Sequence, residues 1–150
     1  MNAEVLSVNL SVEKGTRKRP VERGSLVPEH GLEGDAHAGD WHRQVSLLAR
    51  ESIDKIAALG LELSPGDFAE NLTTRGIDLM NLPVGSVLRV GLDAELEVSQ
   101  IGKECHLGCD IRKQVGDCVM PREGVFARVL KRGTVKAGDP IEVVRRGDEA

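Results

Sequence analysis

Three cysteines, the only ones in the chain, lie within "GKECHLGCDIRKQVGDC" at residues 102–118. Thiols form disulfides, bind soft metals or attack electrophiles, and an odd number cannot close a simple disulfide framework. The spacing C-x3-C-x8-C, with His106 beside the first cysteine, could supply a Cys3His zinc site, although structural zinc usually has two closely spaced pairs. In the other interpretation, Cys109 and Cys118 are small buried hydrophobic residues.

Cys105 differs from the other two because Lys103 precedes it by two positions. If the preceding strand continues this far, both side chains lie on the same face. A nearby ammonium group favours the thiolate, which is the form that binds metals and acts as a nucleophile. Gly102 and Gly108 flank the residue and predict an open loop. We therefore expect Cys105 to be the working thiol of this segment.

A second candidate is the glycine-rich stretch "GLEGDAHAGDWHRQ", which lacks apolar periodicity and predicts a long loop. It contains Asp35, His37, Asp40 and His42, whose side chains could bind a hard metal, activate a water or hold a phosphate. Aspartate and glycine are also common turn residues, so turn formation alone could explain them. Long loops in compact domains are usually functional, which keeps a site as the other interpretation.

Two later stretches, "PGDFAENLTTRGIDL" and "MPREGVFARVLKRGTVKAGD", add three polar candidates. Asn71 lies where the chain enters a predicted strand, and its amide can both donate and accept hydrogen bonds. Arg122 and Arg128 are fork-shaped donors that suit phosphate or carboxylate. Arg128 lies mid-strand between Phe126 and Leu130, which predicts a half-buried face where an arginine needs an anion. A surface salt bridge is the alternative.

Short strands must position these residues. A helix after the third strand places Ile53 and Ala57 on one face and ends at Gly60, and a helical turn follows at 78–82. Turn residues between short strands, with one clear helix, are typical of a β-barrel decorated by helices. The predicted strands cover residues 4–10, 24–27, 44–49, 87–90, 95–100, 124–130 and 139–145.

Composition narrows the class of protein. The 150 residues, 40% of them hydrophobic, predict one folded domain over 1–150, with a core at about 4–145 and a frayed C-terminal tail. Only 2% aromatic residues and a net charge of -4 argue against a nucleic-acid surface. We see no membrane span and no signal peptide, and the odd cysteine count then indicates the cytoplasm.

Five stretches resemble, in order, the MOSC domain, which is named after the C-terminal part of molybdenum-cofactor sulfurase. The resemblance covers roughly residues 5–144 and is greatest to the small stand-alone bacterial MOSC proteins. It implies a mainly β fold, a distorted β-barrel with a few short helices. The stretches are "HGLEGDAHAGDWHRQVSLL", "PGDFAENL", "LPVGSVLRVG", "LEVSQIGKECH" and "REGVFARVLKRGTVKAGD".

The resemblance also implies roles for the candidate residues. Cys105, which follows Gln100, matches the family cysteine that carries sulfur as a persulfide or ligates molybdenum in the pyranopterin cofactor. Many relatives have proline before that cysteine, where this chain has Glu104. Asn71 matches the asparagine of the F-x-x-N motif, and the resemblance extends to the loop acid and histidine and to the barrel arginine. These matches imply that Asp35, His37, Asn71 and Arg128 line the cofactor cleft. Lys103 and Arg122 are also expected to bind the cofactor, by adding positive charge from nearby loops.

We therefore expect the chain to bind molybdenum cofactor (molybdopterin), or to carry sulfur, through Cys105. One version acts in molybdenum-cofactor metabolism, either as a carrier that catalyses no reaction by itself or together with a cofactor-biosynthesis partner. The other version is a small molybdoenzyme that reduces N-hydroxylated compounds. The reductase would need an electron-donating partner. The alternative is a structural Cys3His zinc domain that mediates protein contacts. No nucleic-acid or membrane partner is expected.

Overall fold

The computed structural model describes residues 3–12, 18–36, 38–58, 60, 62–101 and 124–147. Within these ranges the chain forms eleven strands, one helix and a 3₁₀ turn at Leu79–Asn81. No helix in them is both long enough and apolar enough to cross a membrane. The elements are β1 (Glu4–Leu10), β2 (Arg19–Val21), β3 (Arg23–Val27), β4 (Gly31–Leu32), β5 (Val45–Ala49), α1 (Arg50–Ala57), β6 (Leu72–Arg75), β7 (Val87–Val90), β8 (Ala94–Ile101), β9 (Val125–Lys131), β10 (Gly133–Lys136) and β11 (Ile141–Arg145).

Eight strands form one mixed sheet in the order β11-β7-β8-β9-β5-β6-β1-β2, and β10, β3 and β4 form a smaller sheet. Neighbours in the large sheet are antiparallel except for β5 and β6, which run parallel. A parallel pair needs a crossover connection, and α1 lies within it. Among the described strands, β11 and β2 are edges, so the large sheet stays open. The predicted mainly β fold with little helix is confirmed.

The core lies between one face of the large sheet and the small sheet. Along β9, Val125, Ala127 and Val129 belong to the apolar cluster, whereas Phe126 lies on the other face. Leu26 of the small sheet belongs to the same cluster, so the two sheets share one core. Fully burying one such aliphatic side chain stabilises the fold by about 1.5–3 kcal/mol. The opposite face of the large sheet carries Phe126 together with buried polar residues.

The sequence predicted several elements well and missed others. The strand at 4–10 and the strand at 87–90 match β1 and β7, and the helix lies where it was expected. The basic stretch after β1 returns as β2, which pairs with β1 as an antiparallel hairpin. The short strand β10 was mistaken for a connection, because its stability comes from pairing with β3, far away in sequence.

Candidate functional site

A line of five residues crosses the large sheet on the face opposite the core: Gln100, Phe126, Ser46, Asn71 and Asn9. Phe126 of β9 pairs directly with Gln100 of β8 and with Ser46 of β5. The Asn71 N–H donates to the Ser46 carbonyl at 2.9 Å, and the Asn9 N–H to the Asn71 carbonyl at 2.7 Å. Directly paired residues place their side chains on the same face. We call these five residues the site row.

Asn71 is fully buried, and its amide is used within the row. Its Oδ1 accepts from the backbone N–H of Ser46 at 3.0 Å and from the Ser46 hydroxyl at 3.2 Å. Its Nδ2 donates to the carbonyl of Asn9 at 3.2 Å. The amide expected at a ligand is therefore bonded to protein atoms. Asn71 joins β5 to β1 and fixes the start of β6, which is a positioning role.

Glu70, next to the row, is a fully buried carboxyl. Its Oε1 accepts from the Phe68 N–H at 3.2 Å, and its Oε2 accepts from the Thr73 hydroxyl at 2.8 Å. Asn9 donates to the same Thr73 oxygen at 3.1 Å, which links Glu70 to the row. Burial raises the pKa of Glu70 above its ordinary value, and the hydrogen bond from Thr73 opposes the rise only in part.

Asp35 of the glycine-rich loop is also buried and is paired with Lys18. The Lys18 Nζ donates to Asp35 Oδ1 at 2.8 Å, and the Ser11 N–H donates to the same oxygen at 3.1 Å. The Lys18 N–H donates to the Gly66 carbonyl at 2.8 Å, and the Ala36 N–H to the Ser11 carbonyl at 2.8 Å. The chain after β1, the glycine-rich loop and the turn before Asn71 therefore meet at one place.

The ionisation of Asp35 depends on opposing effects. Burial, the largest single effect, disfavours the carboxylate. Four interactions favour the carboxylate and together outweigh burial: hydrogen bonds from Lys18, the Ser11 N–H and Asn71, and the charge of Lys18. The pKa of Asp35 therefore lies below its ordinary value. The structure thus brings Asp35 and Asn71 together, with Asp35 ionised and neutralised by Lys18.

Trp41, His42 and Arg43 lie near Phe126 of the row. The Arg43 Cζ lies 5.0 Å from the Trp41 ring centroid and 5.7 Å from the Phe126 ring centroid, within cation–π range. The rings of Trp41 and His42 meet edge-on, with centroids 5.7 Å apart. The Ser99 hydroxyl donates to the His42 carbonyl and ties this part of the loop to β8.

Arg128 shares its sheet face with Phe126, as the two-residue spacing predicted, but its side chain is exposed. It pairs with Glu97 across β8 and β9, and Leu130 beyond it is 47% exposed. The premise that Arg128 lies on a half-buried face is therefore wrong. A solvated guanidinium needs no bound anion to balance its charge, so burial no longer supports an anion at this residue.

The remaining predicted site residues, Cys105, Lys103, His37 and Arg122, lie outside the described residues, as do Cys109 and Cys118. The chain leaves β8 at Ile101 and returns at Gly124, just before β9. Within the described ranges, no group of three His, Cys, Asp or Glu residues could hold a metal ion. The zinc alternative depends on the cysteines and stays a prediction.

A family model for the MOSC domain matches residues 34–142, which include Ser46, Asn71, Gln100 and Phe126 of the row. The chain belongs to the MOSC family. This MOSC domain is 28% identical to the uncharacterized protein YflK of Bacillus subtilis (strain 168), over 97% of this chain and 75% of YflK.

Solved structures show the same fold. The crystal structure of YiiM from Escherichia coli matches 100% of this chain and 73% of that chain, with 26% identity and a TM-score of 0.71. The YUAD protein from Bacillus subtilis matches over 94% of both chains at 20% identity, with a TM-score of 0.78. The family and the MOSC-type fold expected from the sequence are confirmed.

Sequence reasoning missed three charged residues of this site: Lys18, Glu70 and Arg43. Lys18 lies in the basic stretch after β1, and its partner Asp35 is 17 positions away. Glu70 and Arg43 directly adjoin Asn71 and His42, which were chosen. A charged residue next to a predicted buried strand was the available signal, since such a residue needs a specific partner.

Proposed function

We propose that this MOSC domain binds molybdenum cofactor, with the Cys105 thiolate as the protein ligand of molybdenum. The observation that carries the proposal is the site row on the sheet face opposite the core. The segment that contains Cys105 begins just after Gln100 and ends just before Phe126, and these two residues are directly paired. Cys105 follows Ile101 by four positions, a length of chain that spans at most about 14 Å.

The described residues suit the chemistry of such a cofactor. Gln100 is half-buried at one end of the row and has an amide that matches the mixed donors and acceptors of a pterin edge. The half-buried ring of Trp41 offers an aromatic surface to a planar ligand. The Nε of Arg43 is buried without a hydrogen-bond partner among the described residues, and a phosphate would supply one.

The charges at the row also favour an anionic ligand, although the whole chain carries a net charge of -4. Lys18 neutralises Asp35 through the buried ion pair. Glu70 accepts from the Phe68 N–H and from the Thr73 hydroxyl. Because both buried carboxylates are already engaged by protein groups, the positive charge of Arg43 is left to act on the ligand.

When bound, the cofactor supplies a molybdenum centre that exchanges electrons with a substrate, and molybdenum suits a soft thiolate beside the dithiolene of the pterin. The protein residues do the rest. Asp35 and Asn71 hold the loops and strands in place, and Cys105 supplies the thiolate. Lys103 favours ionisation of that thiol by its positive charge. A reductase of N-hydroxylated compounds would add an electron-donating partner to this arrangement.

The test is the composition of the protein purified from cells. Molybdenum and zinc are measured per chain, together with oxidised pterin fluorescence and cyanide-releasable sulfur. We expect about one molybdenum and one pterin per chain in wild type, and loss of molybdenum in Cys105→Ser. Cys109→Ser is the matched control and should retain both.

Two other results would replace this proposal. Sulfane sulfur on Cys105 without molybdenum would make the protein a sulfur carrier that uses the same thiol. Stoichiometric zinc, lost equally in Cys105→Ser and Cys109→Ser, would establish the structural zinc domain, because each ligand of a tetrahedral site is needed.

A further inference from the structure

Among the described residues, Arg43 contacts aromatic rings rather than a carboxylate. Its Cζ lies 5.0 Å from the Trp41 ring centroid and 5.7 Å from that of Phe126. Two rings at cation–π distance hold the guanidinium in one place and supply no hydrogen-bond acceptor in its plane. Since Phe126 belongs to the site row, these contacts place a positive charge beside the row.

The Nε of Arg43 is shielded from solvent, and within the described part of the chain no hydrogen-bond acceptor meets it. In Arg50, by contrast, the same atom lies 3.0 Å from a carboxylate oxygen of Asp54. An unpaired donor that water does not reach raises the free energy of the folded state, and an acceptor that enters with a ligand lowers it again.

The two buried carboxylates of the site already have other partners. Asp35 accepts from Lys18 at 2.8 Å, and Glu70 accepts from Thr73 at 2.8 Å. No ion pair joins Arg43 to a carboxylate within the described ranges. The Arg43 side chain as a whole is half-buried, so a ligand that arrives from solvent can reach it. The arrangement therefore has a fixed cation next to the row, with a donor left over.

We propose that Arg43 is the anion-binding residue of this site and that it holds a phosphate monoester through its Nε–H and one Nη–H. These two groups donate in parallel and match two oxygens of a phosphate. Where the phosphate is that of the pterin cofactor, the inference rests on the function proposed above. A phosphate on another small molecule would be held by the same atoms.

The tryptophan next to Arg43 gives a direct reading of binding, because Trp41 is the only tryptophan in the chain. The purified full chain is titrated with inorganic phosphate at constant ionic strength while Trp41 fluorescence is followed. We expect a saturable change in wild type and an affinity lower by about ten-fold or more in Arg43→Gln, which loses a charge-assisted pair. Arg43→Lys retains the charge without the fork and should lie between them.

Arg128→Gln is the matched control, since it removes an exposed arginine from the same sheet face and should keep the wild-type response. Equal phosphate affinity in wild type and Arg43→Gln overturns the assignment, as does a wild-type chain that contains no phosphorus and shows no response. Loss of binding in Arg128→Gln alone would move the anion to that residue. Thermal melting reports whether each variant is folded, and Arg43→Lys carries the comparison if Arg43→Gln is not.

Molybdenum, pterin and phosphorus measured on the same preparations separate this inference from the proposed function. A phosphate response that depends on Arg43, in a chain without molybdenum or pterin, upholds the role of Arg43 and refutes the cofactor. Molybdenum and pterin retained at the wild-type level in Arg43→Gln, with unchanged phosphate affinity, uphold the cofactor and refute the role of Arg43.

Discussion

The ammonium group of Lys18 lies 2.8 Å from a carboxylate oxygen of Asp35, and both side chains are fully buried. The pair joins the chain after β1 to the glycine-rich loop, next to the start of β6. Two charges removed from water are tolerated only while each neutralises the other. The pair therefore keeps these loops beside the site row. When either partner is removed, the other charge stays buried without its counter-charge, which raises the free energy of the folded state.

Asp35→Asn is expected to lower the free energy of unfolding by about 3–5 kcal/mol, because the buried charge of Lys18 loses its carboxylate. Asp54→Asn is the control: it breaks the exposed ion pair with Arg50, which should change stability by about 0–1 kcal/mol. Urea unfolding at neutral pH measures both values. Similar small losses in the two variants would show that the buried pair does not clamp the loops.

The pH dependence of the same pair has a definite sign. The folded-state pKa of Asp35 is lowered, so the stability it contributes is present above its unfolded pKa and is lost as pH falls through the folded pKa. Wild type should therefore lose more stability than Asp35→Asn on acidification. Parallel stability curves for the two proteins in acid would contradict this prediction.

Glu70 should act in the opposite sense. Its folded-state pKa is raised above the ordinary value of 4.5, so the folded state binds the proton more tightly. Its contribution is present below the unfolded pKa and is lost as pH rises through the folded pKa. Glu70→Gln cannot ionise, and its stability curve should lack this decline. Glu142→Gln is the control, because it removes an exposed carboxyl and should retain the wild-type stability curve. If Glu70→Gln still loses stability as pH rises, the loss comes from another group.

Gly66 is expected to be irreplaceable by alanine because the turn approaches another backbone. A Cβ at Gly66 would lie 2.1 Å from the carbonyl oxygen of Lys18, and the residue has a φ of +91°. Gly138 has a φ of +93° with nothing within 4 Å of such a Cβ. Gly138→Ala should therefore cost only the strain of the left-handed backbone, about 1–2 kcal/mol, and Gly66→Ala clearly more. Equal losses in denaturant unfolding would contradict the close approach.

Cys105 is expected to react fastest of the three thiols with iodoacetamide near neutral pH, because the ammonium group of Lys103 favours the thiolate. Mass spectrometry of partially labelled protein measures the order. Lys103→Gln should slow Cys105 without changing Cys109 or Cys118. Equal rates, or faster labelling of Cys118, would contradict this order. Cys105→Ser should remain folded, and its global unfolding would support the zinc domain instead.

The sequence alone determined the class of fold and much of the element order. Alternation of apolar residues is a local property, so β1, β8 and the relation between Phe126 and Arg128 could be inferred from neighbours two positions apart. The five motif stretches also predicted the MOSC family, which the family match confirmed. Asp35 and Asn71 were also selected as site residues from these motif stretches.

Only the tertiary structure decided which of these side chains are buried and what they contact. Arg128 and Phe126 share a face, yet Phe126 is covered and Arg128 is exposed, since the cover comes from other parts of the chain. The short strand β10 and the buried ammonium group of Lys18 gave no local signal, because their partners lie far away in sequence. Arg43 adjoins a predicted buried strand, but its contact with Phe126 depends on the tertiary structure. Long-range contacts decide which residues are buried and which strands pair, and the periodicity of residues along the chain does not predict those contacts.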